Sequence, residues 1–143
     1  MTDASDCELC STPGGTVLWS NERLRLVRVD DRDYPGFLRV IWQAHVREMS
    51  DLDAEQRSCL LDAVFAAERV LIELLHPDKV NLASLGNMTP HLHWHVIPRF
   101  RGDPHFPDPV WAPRGAGTAV ALPMQVSDYE RAVAGALAKA LPA

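Results

Sequence analysis

No apolar run in this chain of 143 residues approaches the roughly 18 residues that a membrane-spanning helix requires, so no membrane partner is expected. The opening Met-Thr-Asp-Ala-Ser-Asp lacks both the basic and the apolar regions of a secretory signal, and a cytoplasmic location is expected. An excess of basic residues is also missing. With 14 Lys and Arg against 19 Asp and Glu, the formal charge is −5, which argues against a nucleic acid polymer as partner and leaves a small phosphate ester open. Cysteine is scarce and odd in number, at three, so a disulfide framework is not expected in a reducing compartment. There is no internal repeat, and low complexity is confined to the Ala-rich tail.

What the chain does contain is enough apolar sequence, 47%, for one globular domain with a real core. Its histidines are unevenly spread: three of six fall in His91-Leu92-His93-Trp94-His95-Val96-Ile97, ahead of Pro98 and Arg99. Strict alternation of this kind predicts a half-buried strand, in which residues two apart share a face at a spacing of about 6.5 to 7 Å. The three imidazoles are then expected on one face, at a span that suits a phosphate with a nucleophile behind it and a donor beside it. Leu92, Trp94 and Val96 should enter the core, and Pro98 should mark the strand's end or a sheet edge. Two other readings are functionless surface histidines and a metal set, since neutral imidazole is the commonest transition-metal ligand. Against a catalytic metal stands one more absence: a metallohydrolase would place an acidic residue promptly after alternating histidines, and the next one here is Asp103.

Together with Gly86-Asn87-Met88-Thr89-Pro90 ahead of it, this segment resembles the defining motif of the histidine triad (HIT) family of nucleotide hydrolases and transferases. That motif is His-φ-His-φ-His-φ-φ with φ apolar, and all seven positions fit. The likeness runs from about residue 7 to 101, giving a single domain over 1–143 with a core of about 7–101 and a C-terminal extension of about 102–143. It implies an α+β fold, an antiparallel sheet of about five strands with one long helix packed across it, to which this chain adds a C-terminal helix. It also implies a homodimer.

The resemblance further implies roles for residues. His93 would be the nucleophile that forms a nucleotidyl-histidine intermediate, His95 would hydrogen-bond the phosphate oxygens, and His91 would help order the site. Asn87 matches a Gln that contacts phosphate, Thr89 could add a hydroxyl, and Ser84 is a further candidate for substrate binding. Asp30, or Asp31 beside it, matches an aspartate that accepts from ribose hydroxyls. Where many relatives read Gly-His, this chain reads Gly36-Phe37, and that histidine's role is not carried over. Transferase branches commonly carry Gln at the third triad position, so His95 favours water as the final acceptor.

Cys7-Glu8-Leu9-Cys10 reads by itself as two unrelated thiols or half a zinc site. Relatives complete such a pair with two histidines, which here match His45 and His91, giving a closed structural Cys₂His₂ site. No cofactor is implied for catalysis. The implied function is hydrolysis of a purine nucleoside phosphoramidate or a dinucleoside polyphosphate. The alternatives are a nucleotidyltransferase, a non-catalytic nucleotide-binding or scaffold protein, and a zinc protein whose histidines all serve metal.

Patterning predicts strands at 17–19, 24–29 and 37–42, with Arg23, Arg25 and Arg28 facing water. A helix should open at Ser50 as N-cap, carry a stripe of Leu60, Leu61, Val64, Phe65, Leu71, Ile72 and Leu75, and end at His76-Pro77 with His76 as a cap. A strand over 79–85 should turn tightly at Gly86-Asn87 into the triad strand. Four prolines between 104 and 113 exclude regular structure there, yet Phe106, Val110 and Trp111 should hold the segment against the surface. Ser127-Asp128-Tyr129 should open a last helix reaching about Leu141.

Overall fold

The computed structural model describes residues 4–143; the first three, part of the opening read above for a signal, lie outside them. Five strands, β1 (Thr16–Ser20), β2 (Leu24–Arg28), β3 (Leu38–Trp42), β4 (Lys79–Ala83) and β5 (His93–Arg99), form one antiparallel sheet in the order β1-β2-β3-β5-β4. Three helices accompany it: α1 (Glu8–Ser11), α2 (Ala54–Leu75) and α3 (Val126–Ala140). This is the α+β architecture expected, with α2 across the sheet and α3 at the C-terminus. Among the described residues no helix is long and apolar enough to cross a membrane.

Period-two patterning places Leu24, Leu26, Leu38, Val40 and Val96 on one face of the sheet, where they meet Leu60, Val64, Ala67 and Leu71 of α2. Each large side chain buried there contributes about 1.5–3 kcal/mol. The helix's buried stripe is narrower than patterning predicts. Ala63, Ala67 and Val70 complete it, while Phe65 and Ile72 remain 48% and 44% exposed on the side turned from the sheet.

Asp53, not Ser50, caps α2. Its carboxylate accepts from the Gln56 backbone N–H at 2.8 Å while the Gln56 side chain accepts from the Asp53 N–H at 2.9 Å, a reciprocal pair that satisfies two orphan donors. Ser50 lies one turn earlier, in a separate 3₁₀ turn (Met49–Asp51), and buried Leu52 intervenes in extended backbone. At the other end His76 takes the left-handed conformation (φ 47°) and donates its backbone N–H to the Ile72 carbonyl; Pro77 cannot continue the helix.

The second face of the sheet is covered as well, which corrects the placing of Arg25 in water. The N-terminal segment lies over it, with Cys7 and Leu9 packed on Val27 and Ile41. Arg25 is 8% exposed and donates to the carbonyls of Pro13 (2.9 Å) and Leu9 (2.7 Å) and to Gln43 Oε1 (2.6 Å). Arg23 stays exposed beside Glu55, whereas Arg28 pairs with Glu130 of α3 at 3.1 Å. Buried Tyr129 of α3 donates its hydroxyl to the Gly36 carbonyl. Gly36 sits at φ +95°, and a Cβ there would come within 2.7 Å of Leu75 Cδ1, so both backbone and space require glycine.

β4 and β5 pair antiparallel as expected, but through a long loop over 84–92 instead of a tight turn at Gly86-Asn87. Past Val96 the triad strand has β4 alone as neighbour, and Pro98, with no N–H to give, falls there. The proline-rich segment folds back through Asp103, whose buried carboxylate accepts from Arg99 (2.8 Å), Tyr34 and the N–H groups of Phe100, His105 and Phe106. Although burial alone would raise its proton affinity, Arg99 and these amides hold the carboxyl well below the usual carboxylate range.

Candidate functional site

On β5 the alternation sends Val96 to the helix side and His93 and His95 to the opposite face, where both line a cavity of about 630 Å³. Arg39 of β3 is the cross-strand partner of His95 and lines the same cavity, as do Asn87 and Thr89 from loop 84–92. Gly86 holds that loop's bend at φ +81°. Glu8, Leu9 and Trp111 also line the cavity, so the N-terminal segment and the proline-rich segment both contribute to it.

All three imidazoles come to the face turned away from α2, as expected, but His91 does not reach the cavity: it precedes the strand, and its ring is buried beneath the N-terminal segment that packs on Val27 and Ile41. Its Nε2 donates to the Trp42 carbonyl at 2.6 Å, which leaves Nδ1 without a proton and directed at Cys7 Sγ (3.5 Å), Cys10 Sγ (3.4 Å) and His45 Nδ1 (3.3 Å). The residue still serves the triad through its backbone, because the His91 carbonyl accepts from Nδ1 of His93.

That bond fixes the proton on His93. A carbonyl only accepts, so Nδ1 carries the hydrogen and Nε2 keeps the lone pair a nucleophile needs. Burial lowers the ring's proton affinity and outweighs the hydrogen bond to the His91 carbonyl, which raises it, with the Arg39 charge adding to the lowering, so His93 is neutral at pH 7. His95 is pushed down to about 4, first by burial and then by His93 and Arg39. Its Nδ1 is buried with no hydrogen-bond partner, and a hydrogen there would be an orphan donor; the proton therefore belongs on Nε2. Edge contacts with Phe37 (5.5 Å between ring centres) and His93 (4.9 Å) hold the ring in place. The pair thus offers one lone pair and one N–H.

Of the other residues singled out in the sequence, Asn87 and Thr89 come to the cavity, and Asp30 and Ser84 are not among its lining. Asp30 is exposed beyond β2, and Asp31 accepts from the Asp33 N–H. Ser84 Oγ donates to the His93 carbonyl at 2.7 Å, which fastens the nucleophile's own backbone. Sequence reading missed Arg39. The available signal was a lone charge inside the apolar run 37–42, at the parity that faces away from the core.

Cys7, Cys10, His45 and His91 bring four ligand atoms within 4.8 Å of one another. A tetrahedral zinc with bonds of about 2.05 Å to nitrogen and 2.3 Å to sulfur separates two nitrogens by about 3.3 Å and nitrogen from sulfur by about 3.6 Å. Here the two Nδ1 atoms are 3.3 Å apart and the N to S separations run from 3.3 to 3.5 Å. The donor set and spacing fit a closed four-ligand metal centre.

The profile of the HIT domain family matches residues 14–102 of the chain. No curated protein matches it. Among solved structures, a histidine triad protein from Bradyrhizobium japonicum is 27% identical with a TM-score of 0.69, over 91% of this chain and 92% of that one. A histidine triad protein from Sinorhizobium meliloti is 25% identical with a TM-score of 0.69, over 97% and 100%. A zinc-bound histidine triad family protein from Mycobacterium smegmatis shares the fold at 20% identity and a TM-score of 0.61, over 96% of each chain.

Proposed function

The chain belongs to the histidine triad family, and from that premise we propose that it is a nucleotide hydrolase cleaving a purine nucleoside phosphoramidate or a dinucleoside polyphosphate by double displacement at phosphorus. The observation that carries this reading is the hydrogen bond from His93 Nδ1 to the His91 carbonyl, which supports an unprotonated Nε2 at the cavity.

In the first step Nε2 attacks in line. The P–N bond forms as the bond to the leaving amine or phosphate breaks, and that group departs with the electron pair and takes up a proton. His95 Nε2–H, the Asn87 amide and the Thr89 hydroxyl donate to the non-bridging oxygens, where charge is densest in the transition state. Water then attacks phosphorus, a P–O bond replaces P–N, the lone pair returns to Nε2, and a proton passes to solvent. Two in-line steps give retention at phosphorus. Ser84 positions His93 through its backbone, and either Asp30 or Asp31 supplies the ribose contact.

Mass spectrometry of acid-labile adducts checks the intermediate. The wild-type protein is expected to trap a nucleotidyl group on His93, and His93→Ala to lose turnover of both substrate types by about 1,000-fold or more. Intact turnover in that variant would sink the reading, and tight mononucleotide binding without any turnover would favour the non-catalytic alternative.

Zinc at Cys7, Cys10, His45 and His91 is the second part of the proposal. It is supported by the tetrahedral spacing and by the zinc-bound relative from Mycobacterium smegmatis. When bound, the ion would cross-link the N-terminal segment to the sheet through two thiolates and two neutral imidazoles. A homodimer completes it. β4 is a sheet edge, and α2 presents Phe65 and Ile72 seven residues apart on one exposed stripe.

A further inference from the structure

Arg39 stands out among the charged residues of this fold. It occupies β3 between Leu38 and Val40, whose side chains enter the core, and as the register partner of His95 it rises on the cavity face, with Cβ atoms about 4.5–5.5 Å apart. One guanidinium nitrogen donates to the Gly14 carbonyl at 3.2 Å, and the group lies 6.0 Å from the centre of the Phe37 ring. Its Nε is buried with no hydrogen-bond partner. The contrast with Arg25 is informative, because that buried arginine places Nε and both terminal nitrogens on backbone and amide oxygens. Arg23, Arg28, Arg99, Arg101, Arg114 and Arg131 each have a carboxylate within 4 Å. Among the described residues no carboxylate reaches Arg39 at that range; Glu8, across the cavity lining, is the acid whose charge acts on it.

A half-buried cation with open donors in a cavity is costly unless an anion shares the space, and the planar fork of Arg matches phosphate oxygens. The cavity lining holds no other Lys or Arg. We infer that Arg39 binds the phosphate that leaves, and that it selects dinucleoside polyphosphates over nucleoside phosphoramidates. The inference rests on the hydrolase reading above and narrows its substrate class. The reacting phosphate is already served by His93, His95, Asn87 and Thr89. A phosphoramidate departs as an amine and brings no further anion to Arg39. A phosphoanhydride departs as a phosphate: Nε2 of His93 bonds to phosphorus, the bridging P–O bond breaks, its electron pair stays on the departing oxygen, and the guanidinium faces the added charge. Water then resolves the P–N bond as before.

The test compares wild type with Arg39→Met and Arg39→Lys on a dinucleoside tetraphosphate and a nucleoside 5′-phosphoramidate. For Arg39→Met, kcat/KM on the tetraphosphate is expected to fall about 100-fold and on the phosphoramidate less than about 3-fold, with Arg39→Lys recovering part of the loss. An equal fall on both substrates, or none, overturns the inference. A second readout does not need turnover: in a His93→Ala background a nucleoside diphosphate should bind about tenfold tighter than the monophosphate, and adding Arg39→Met should remove the difference. If wild type cleaves neither substrate while that binding preference holds, the hydrolase reading fails and the anion site at Arg39 stands. If the preference is absent, the site at Arg39 fails, whatever the protein hydrolyses.

Discussion

His91 uses its two ends for two tasks. The ring belongs to the cysteine pair and the Trp42 carbonyl, while its own carbonyl sets the proton of His93. The neutrality of His93 and His95 has a consequence for stability. His95 titrates at about 4 in the fold, against a value near 6.5 in an unfolded chain, and burial is the main cause. Between those values the unfolded chain binds a proton that the folded chain refuses. Stability is therefore whole above about pH 6.5 and declines as pH drops toward 4. Asp103, depressed in turn, keeps its full contribution above the ordinary carboxylate range and loses it progressively as pH falls through that range and below, so its window opens where that of His95 closes. Thermal midpoints read between pH 7 and 4.5 are expected to fall, and His95→Gln should flatten the slope; a level midpoint across that interval would contradict the burial of the ring. At this scale His93 and His95 were legible, because alternation inside a strand translates directly into facing. The ring of His91 was legible only through the family resemblance, which grouped it with Cys7, Cys10 and His45; alternation alone does not set it beside cysteines 84 and 81 positions away. Arg39 was illegible for a similar reason: only the pairing of β3 with β5 brings it beside His95.

α2 shows how far local pattern reaches and where it stops. Its length and C-terminal stop were readable from the apolar spacing and His76-Pro77, and the strands from their apolar patterning, while their assembly into one five-stranded sheet was implied by the family resemblance. The N-cap was displaced because Ser50 and Asp53 both carry capping chemistry, and the reciprocal bond to Gln56 decided between them. Phe65 and Ile72 fitted the predicted stripe yet face outward, which sequence cannot distinguish from core when helix faces differ by one residue's rotation. These two, with the unpaired side of β4, form the surface that the homodimer proposal uses. Sedimentation at micromolar concentration is expected to show a dimer, and the double change Phe65→Glu and Ile72→Glu to shift it to monomer without loss of helix content. A wild-type monomer across that range would end the proposal.

Across the whole molecule, the two faces of the sheet are secured by different means. The helix side carries the large apolar core; the other side carries two small clusters, Tyr34, Phe37 and Ile97 under the proline-rich segment, and Cys7, Leu9, Val27 and Ile41 under an N-terminal segment whose carbonyls are held by Arg25. An apolar cluster of four is a weak anchor for a segment that lines the cavity with Glu8 and Leu9. A metal bound to Cys7, Cys10, His45 and His91 would tie that segment to β3 and to the start of β5. Its loss should therefore act on one face only. Metal analysis of the dialysed protein is expected to give one zinc per chain. Cys10→Ser should lose it, lower the thermal midpoint on the order of 10 °C, and raise hydrogen exchange over 7–15 while α2 stays protected. Cys59→Ser, on the helix side and outside the four, serves as the control and should retain the metal. Because Leu9 lines the cavity, the stripped protein should also bind nucleotide more weakly, with KM moving more than kcat. A protein that holds no zinc, or one whose exchange rises equally in α2 and the N-terminal segment, would show that the second face is held by packing and Arg25 alone.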